Sequence, residues 1–311
     1  MFSSEKNFVY GMGSFFDIFN DEHKKCFKIA ENNNFFFHSA ISYPGASFFY
    51  KKRSENKKKN DNKLILKIAG YSYDQLRYEI DLSIKEFKLS NLYGFQLWEK
   101  LPEKNDKINH RELIKIFDYF EELKKNKIIQ KTFFQLEPQK FRFKEIDFFD
   151  GYAFYGYPYE LQLEKSQFEE IKKKNKLFLQ FQFFGGRSTK LFRENFKKKI
   201  NENISKKDLD KLWIDECLKF TKYTFGNNCF FVGCTQNSDR LNYLANKLND
   251  NTSFEAEKNL ELNFADNLKF LTKVDYPTYQ HPLKLNVLRS KKFLIKLYFK
   301  KFLKHLIARY T

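Results

Sequence analysis

Eight short apolar runs recur along the chain, at 8–13, 35–39, 64–68, 92–98, 128–134, 148–154, 177–183 and 228–233, each rich in Phe, Ile, Leu or Val. Runs of this length without strict alternation suit strands buried on both faces of a parallel sheet. Six longer stretches with helical spacing lie between or after them, at 21–31, 72–87, 110–125, 163–174, 207–225 and 238–248. In 72–87, Leu76, Ile80, Leu82, Ile84 and Phe87 approximate one apolar face, and Ser72 and Asp74 supply capping oxygens at its start. Strand followed by helix, repeated through most of eight strands, predicts an α/β fold of the (β/α)8 TIM-barrel type, with a doubly wound sheet as the competitor.

A chain of 311 residues is long enough for such a barrel as one unit, and a hydrophobic fraction of 42% supplies its core. Only 11 Gly and 6 Pro argue against a small fold of many tight turns. The reading divides the chain into a barrel over 1–265 and a basic C-terminal tail over 266–311, helical at 290–310. The polar stretch 51–63, KKRSENKKKNDNK, interrupts the repeat and is expected to be a solvated loop.

The net charge of +18 fits a nucleic-acid binder, but Phe, Lys, Asn, Ile and Tyr are all plentiful, the bias of an AT-rich coding sequence. No nucleic-acid motif accompanies the charge, so no nucleic-acid partner is expected. Nine of the basic residues follow Asp275 with no acidic residue among them. There, Ile295, Phe299, Phe302, Leu303 and Leu306 share a helical face flanked by Lys292, Lys296, Lys300 and Lys304. Such a helix packs on the barrel, or docks on an anionic membrane surface or a protein partner. Cys26, Cys217, Cys229 and Cys234 form no CxxC pair, which suits free thiols in a reducing compartment and implies no metal site. With no signal-peptide pattern and no apolar run long enough to span a bilayer, the expected location is the cytoplasm.

Barrel enzymes carry their reactive groups at the C-terminal ends of the strands. The second strand ends in His38 and is followed by Tyr43, the third ends near Lys67 and the fourth at Trp98. A lysine in an otherwise apolar strand is costly unless it faces a site or solvent. A Lys beside a Tyr phenol makes that phenol a better proton donor. His38 reads equally as a satisfied barrel histidine, Trp98 as filling of the mouth, and Gly185-Gly186 as a turn.

The ordered series YGMGS, FHSAISYPG, LILK, SNLYGFQLWE, KNKIIQKTFFQLEP, FQFFGG and VGCTQNSDRLNYL resembles the aldo/keto reductase family over roughly residues 7–250. The resemblance implies reduction of a carbonyl by hydride from NADP, with NAD as the other candidate, on a small-molecule carbonyl or sugar-derived substrate. It implies Tyr43 as proton donor, with Lys67 depressing its pKa. Phe181 would stack on the nicotinamide, and Thr235 and Arg240 would contact the 2′-phosphate. Ser14, Asp150, Gly185 and Gly233 fall at further cofactor positions. His38 stands where the family has the Asp that pairs with the lysine, and Trp98 where it has the substrate-orienting His. Those two departures favour the alternative, a catalytically inactive barrel that binds a ligand or a partner.

Overall fold

The computed structural model describes residues 7–13, 20–40, 43, 63–70, 73–87, 91–99, 110–135, 147–158, 160–185, 193–194, 196–198, 203–250 and 268–271. Eight strands form a closed parallel barrel: β1 Phe8–Gly11, β2 Phe36–Ala40, β3 Leu64–Gly70, β4 Leu92–Glu99, β5 Ile129–Gln135, β6 Gly151–Tyr157, β8 Leu177–Phe181 and β9 Cys229–Gly233. Neighbours pair in that order, and β9 returns to β1 through Phe8↔Phe231 and Tyr10↔Gly233. The expected barrel is therefore present, and closure excludes the doubly wound sheet.

Among the described residues, helices with defined bounds are α1 Asp21–Asn32, α2 Tyr73–Phe87, α3 His110–Lys125, α4 Lys165–Lys173, α5 Lys206–Phe225 and α6 Ser238–Asn249. Caps explain where several begin. The Asn20 side chain accepts from the Glu22 amide, Ser205 from Asp208, and Asn237 from Arg240, each satisfying a first-turn donor that has no partner within its helix. Helix α2 departs from expectation. Its Tyr73 amide donates to Glu112 of α3 at 2.7 Å, a cap supplied from another helix, while Ser72 lies outside the described residues.

Two apolar layers fill the molecule. Inside the barrel, Val9, Phe36, Ile65, Phe133, Ala153, Leu179, Phe230 and Val232 pack together, with Tyr93, Leu177 and Phe181 against them. Between strands and helices lies the larger shell, which includes Phe27, Phe37, Phe95, Phe120, Phe154 and Phe178. Phenylalanine thus works on both faces of the same strands. In β2, Phe36 meets Phe230 inside the barrel at 5.1 Å, and Phe37 meets Phe27 of α1 outside at 5.0 Å.

Two short strands lie outside the eight. β7 Glu160–Gln162 folds back antiparallel on β6, and β10 Lys269–Phe270 pairs parallel with β7. The sixth barrel strand begins at Gly151 rather than at residue 148, a displacement that matters for Asp150 below. Most of the 51–63 insertion and the helix expected at 290–310 lie outside the described residues. No helix among the described residues is long and apolar enough to cross a membrane.

Candidate active site

Alternation along a strand puts every second side chain on the same face. Two residues beyond the interior positions Phe36, Ile65, Phe133, Ala153 and Leu179 come His38, Lys67, Gln135, Tyr155 and Phe181. Gln96, paired in register with Phe133, belongs to the same set, and Trp98 follows it by two. These side chains form the topmost interior layer, at the C-terminal ends of the strands.

Lys67 is its centre. The ammonium lies 4.7 Å from the ring centroid of Tyr43 and 4.5 Å from that of Trp98, held between two aromatic faces. A cation is attracted by each ring's quadrupole, so both rings help to hold the ammonium in place. Tyr43 gets there through a turn: its amide donates to the Ala40 carbonyl at 2.9 Å, folding the chain back over the end of β2.

Beneath this clamp runs a buried polar chain. His38 Nε2 meets Gln96 Oε1 at 2.7 Å, and Gln96 Nε2 donates to Gln135 Oε1 at 2.8 Å. With an amide oxygen as its partner, Nε2 carries the proton and Nδ1 is left as an acceptor. Burial first, and the charge of Lys67 after it, push the His38 imidazole down to about 3 against the opposing pull of the Gln96 hydrogen bond. His38 is therefore neutral and cannot stand in as the counter-charge of Lys67. At the far end of the chain Gln135 Nε2 is buried without a partner, an amide donor of the mouth layer left open.

Phe181 is half-buried in the same layer, its ring 5.0 Å from His38 and 5.9 Å from Tyr155. The structure thus brings together Tyr43, Lys67, Trp98, His38 and Phe181. It adds three residues that sequence reasoning passed over, Gln96, Gln135 and Tyr155. The two glutamines had a signal: each interrupts an apolar strand at a position of interior phase.

Asp150 does not join them. Because β6 starts at Gly151, Asp150 sits at the entry of the strand, the end of the barrel away from the mouth. There its Oδ2 accepts from both the amide and the hydroxyl of Thr132 at 2.9 Å and pairs with Lys124 at 2.8 Å. These contacts tie β5, β6 and α3 together, a stabilising role that suits the N-terminal face of a barrel. The glycines act through space and backbone. A Cβ on Gly233 would lie 2.6 Å from the Phe8 ring and 2.8 Å from that of Phe184, and Gly185 takes φ 93° in a turn closed on the Gln182 carbonyl. Ser14 lies outside the described residues.

The rim after β9 is occupied from within. Thr235 is buried, and its hydroxyl accepts from the Asn237 amide at 3.2 Å. Arg240 Nε donates to Asp210 of α5 at 2.8 Å, and Arg193 donates to the other oxygen of the same carboxylate. Glu22 of α1 accepts from the Ser238 amide at 3.3 Å and from its hydroxyl at 2.8 Å. Hydrogen bonds from Lys25 and then Ser238 hold the Glu22 carboxyl down to about 2. For a nicotinamide dinucleotide, the mouth layer offers an aromatic ring, Phe181, and one unpartnered amide group, Gln135 Nε2, which fit the nicotinamide end. At the rim Arg240 and Arg193 already engage Asp210 and Ser238 engages Glu22, so a 2′-phosphate held there would have to displace a carboxylate.

No protein-family model matches the chain, and no curated protein does. Solved structures do. An aldo-keto reductase enzyme, MGS-M4, from a Medee basin deep-sea metagenome library superposes with a TM-score of 0.57 at 10% identity, over 89% of this chain and 95% of that one. An aldo/keto reductase from Brucella melitensis does so with a TM-score of 0.51 at 13% identity, over 76% and 87%. The closed parallel barrel of this chain is therefore the fold seen in solved aldo/keto reductases, kept at an identity low enough that the likeness is one of fold alone.

Proposed function

We propose that the barrel mouth reduces a carbonyl, on a small-molecule or sugar-derived substrate, using a nicotinamide dinucleotide. The observation that carries this reading is the Lys67 ammonium between the rings of Tyr43 and Trp98. Tyr43 gives its phenolic proton to the carbonyl oxygen as negative charge develops there. Lys67 stabilises the phenolate left behind, a general-acid arrangement of the kind that contributes about 10²–10⁴-fold. The open Nε2–H of Gln135 and the ring of Phe181 orient a planar amide-bearing group, and the bound cofactor supplies the hydride. Trp98 offers an apolar face on which a sugar ring can rest. Four free cysteines, three of them buried, suit a reducing cytoplasm.

The test is fluorescence titration of NADH and NADPH into purified protein, followed by carbonyl-dependent oxidation of whichever binds. Binding with turnover that collapses in Tyr43→Phe supports the reading. A lack of binding by both at millimolar concentration overturns it.

A second reading has its own observation. His38, neutral, stands where the resemblance has the Asp that pairs with the lysine, and Trp98 has a single N–H donor on a bulky ring. On that reading the barrel is catalytically inactive and recognises a ligand or partner, with the basic tail as a docking element. Binding without turnover of any carbonyl substrate would select it.

A further inference from the structure

The loops after the last two barrel strands, together with the first turn of the helix that follows, are where barrels of this kind cradle phosphate groups. In this chain that place is held by Asp210. Its Oδ2 takes Arg240 Nε at 2.8 Å and its Oδ1 takes Arg193 Nη2, so both carboxylate oxygens engage guanidinium donors as phosphate oxygens would. The carboxylate is only 14% exposed and the Arg193 side chain 17%, so their attraction is weakly screened by water. A second carboxylate, Glu22, covers the first turn of α6 through Ser238, and Asn237 takes the Arg240 amide. The Thr235 hydroxyl accepts from the Asn237 amide.

A phosphate monoester entering here must compete with Asp210 for Arg240 Nε and Arg193 Nη2, and with Glu22 for the Ser238 amide and hydroxyl. The two hydroxyls of an unphosphorylated ribose carry no charge to be repelled, and a carboxylate is a natural acceptor for them. We propose that Asp210 is the specificity-determining residue of the nucleotide site, and that it excludes a 2′-phosphate so that the chain takes NAD(H) in preference to NADP(H). The inference rests on the dinucleotide reading above and reverses the preference that the motif resemblance implies.

Equilibrium dissociation constants test it without reference to turnover. The wild-type protein is expected to bind NADH at least about tenfold more tightly than NADPH. Asp210→Asn keeps the shape but removes the charge, freeing Arg240 and Arg193, and is expected to tighten NADPH binding by about tenfold while NADH binding barely changes. Adding Arg240→Ala to that variant should take the gain away. Tighter binding of NADPH than NADH by the wild type overturns the inference, as does an unchanged ratio in a folded Asp210→Asn protein. Should that variant not fold, the wild-type ratio decides alone. Failure of both nucleotides to bind overturns the dinucleotide reading itself, and this inference with it, a result distinct from an inverted ratio.

Discussion

At the end of β3 a cation, Lys67, rests between the rings of Tyr43 and Trp98, while across the mouth Arg240 and Arg193 converge on Asp210. The two settings treat positive charge in opposite ways. Aromatic faces hold an ammonium through a quadrupole, with no formal charge of their own. A carboxylate held on both oxygens offsets one of the two guanidinium charges and occupies a donor of each arginine. The first region can act on what enters the barrel, and the second mainly fixes α5, α6 and the segment carrying Arg193 against one another.

The sharpest way to break this contrast is at Lys67. Lys67→Met should lower carbonyl-dependent turnover by about 10²–10⁴-fold while nucleotide dissociation constants and the urea midpoint stay near wild type. Retained turnover would show that the clamped ammonium does no chemistry. Asp210→Ala should do the reverse, costing about 3 kcal/mol of stability in urea titration because two largely buried guanidiniums lose their partner. A loss below about 0.5 kcal/mol would mean that the cluster is an exposed pair in effect.

Beneath the clamp, His38 supplies a pH test. Its folded pKa, down to about 3, lies below the ordinary histidine value near 6.5, so below pH 6.5 the unfolded chain binds more protons than the folded one. The stability from the neutral ring is complete above pH 6.5 and is lost as pH falls toward 3, by up to about 1.4 kcal/mol per pH unit. Urea unfolding from pH 7 to 4 should show this slope, and His38→Gln should flatten it. An equally steep variant would place the titration elsewhere. The smallest effect is expected at Trp98: Trp98→Leu removes one face of the clamp, worth about 1 kcal/mol at a half-buried site, and should cut turnover by about fivefold.

The barrel was legible because its determinants are local. Strand-length apolar runs and helical spacing can be read from neighbouring residues, and each strand and helix named above lies within a few residues of its expected span. The sixth strand shows the limit: Phe148 and Phe149 continue the apolar run, yet β-pairing begins only at Gly151. That shift carried Asp150 to the wrong end of the barrel and hid Tyr155.

At the site, Lys67 and Trp98 could be found because they stand near strand ends, where barrel enzymes carry their reactive groups, and Phe181 because the motif resemblance placed it there. Gln96 and Gln135 carried a weaker signal, each interrupting an apolar strand. Asp210 and Arg193 carried none. Their meeting with Arg240 depends on how the chain after β8 and two successive helices pack, and no spacing in the sequence encodes that.

The seam between β1 and β9 joins opposite ends of the folded unit: Phe8 lies level with Phe231, the Phe231 amide donates to the Asn7 carbonyl at 3.0 Å, and the Asn7 side chain reaches the Asn227 carbonyl at 2.8 Å. In a cell, the first strand is made long before its last neighbour exists. At synthesis rates of roughly 5–20 residues per second, it waits about 10–45 s with one row of backbone donors and acceptors unpaired. During that interval the apolar FVYG edge is a template for any extended segment nearby, so the nascent chain rather than the finished barrel is the form most in need of chaperone cover.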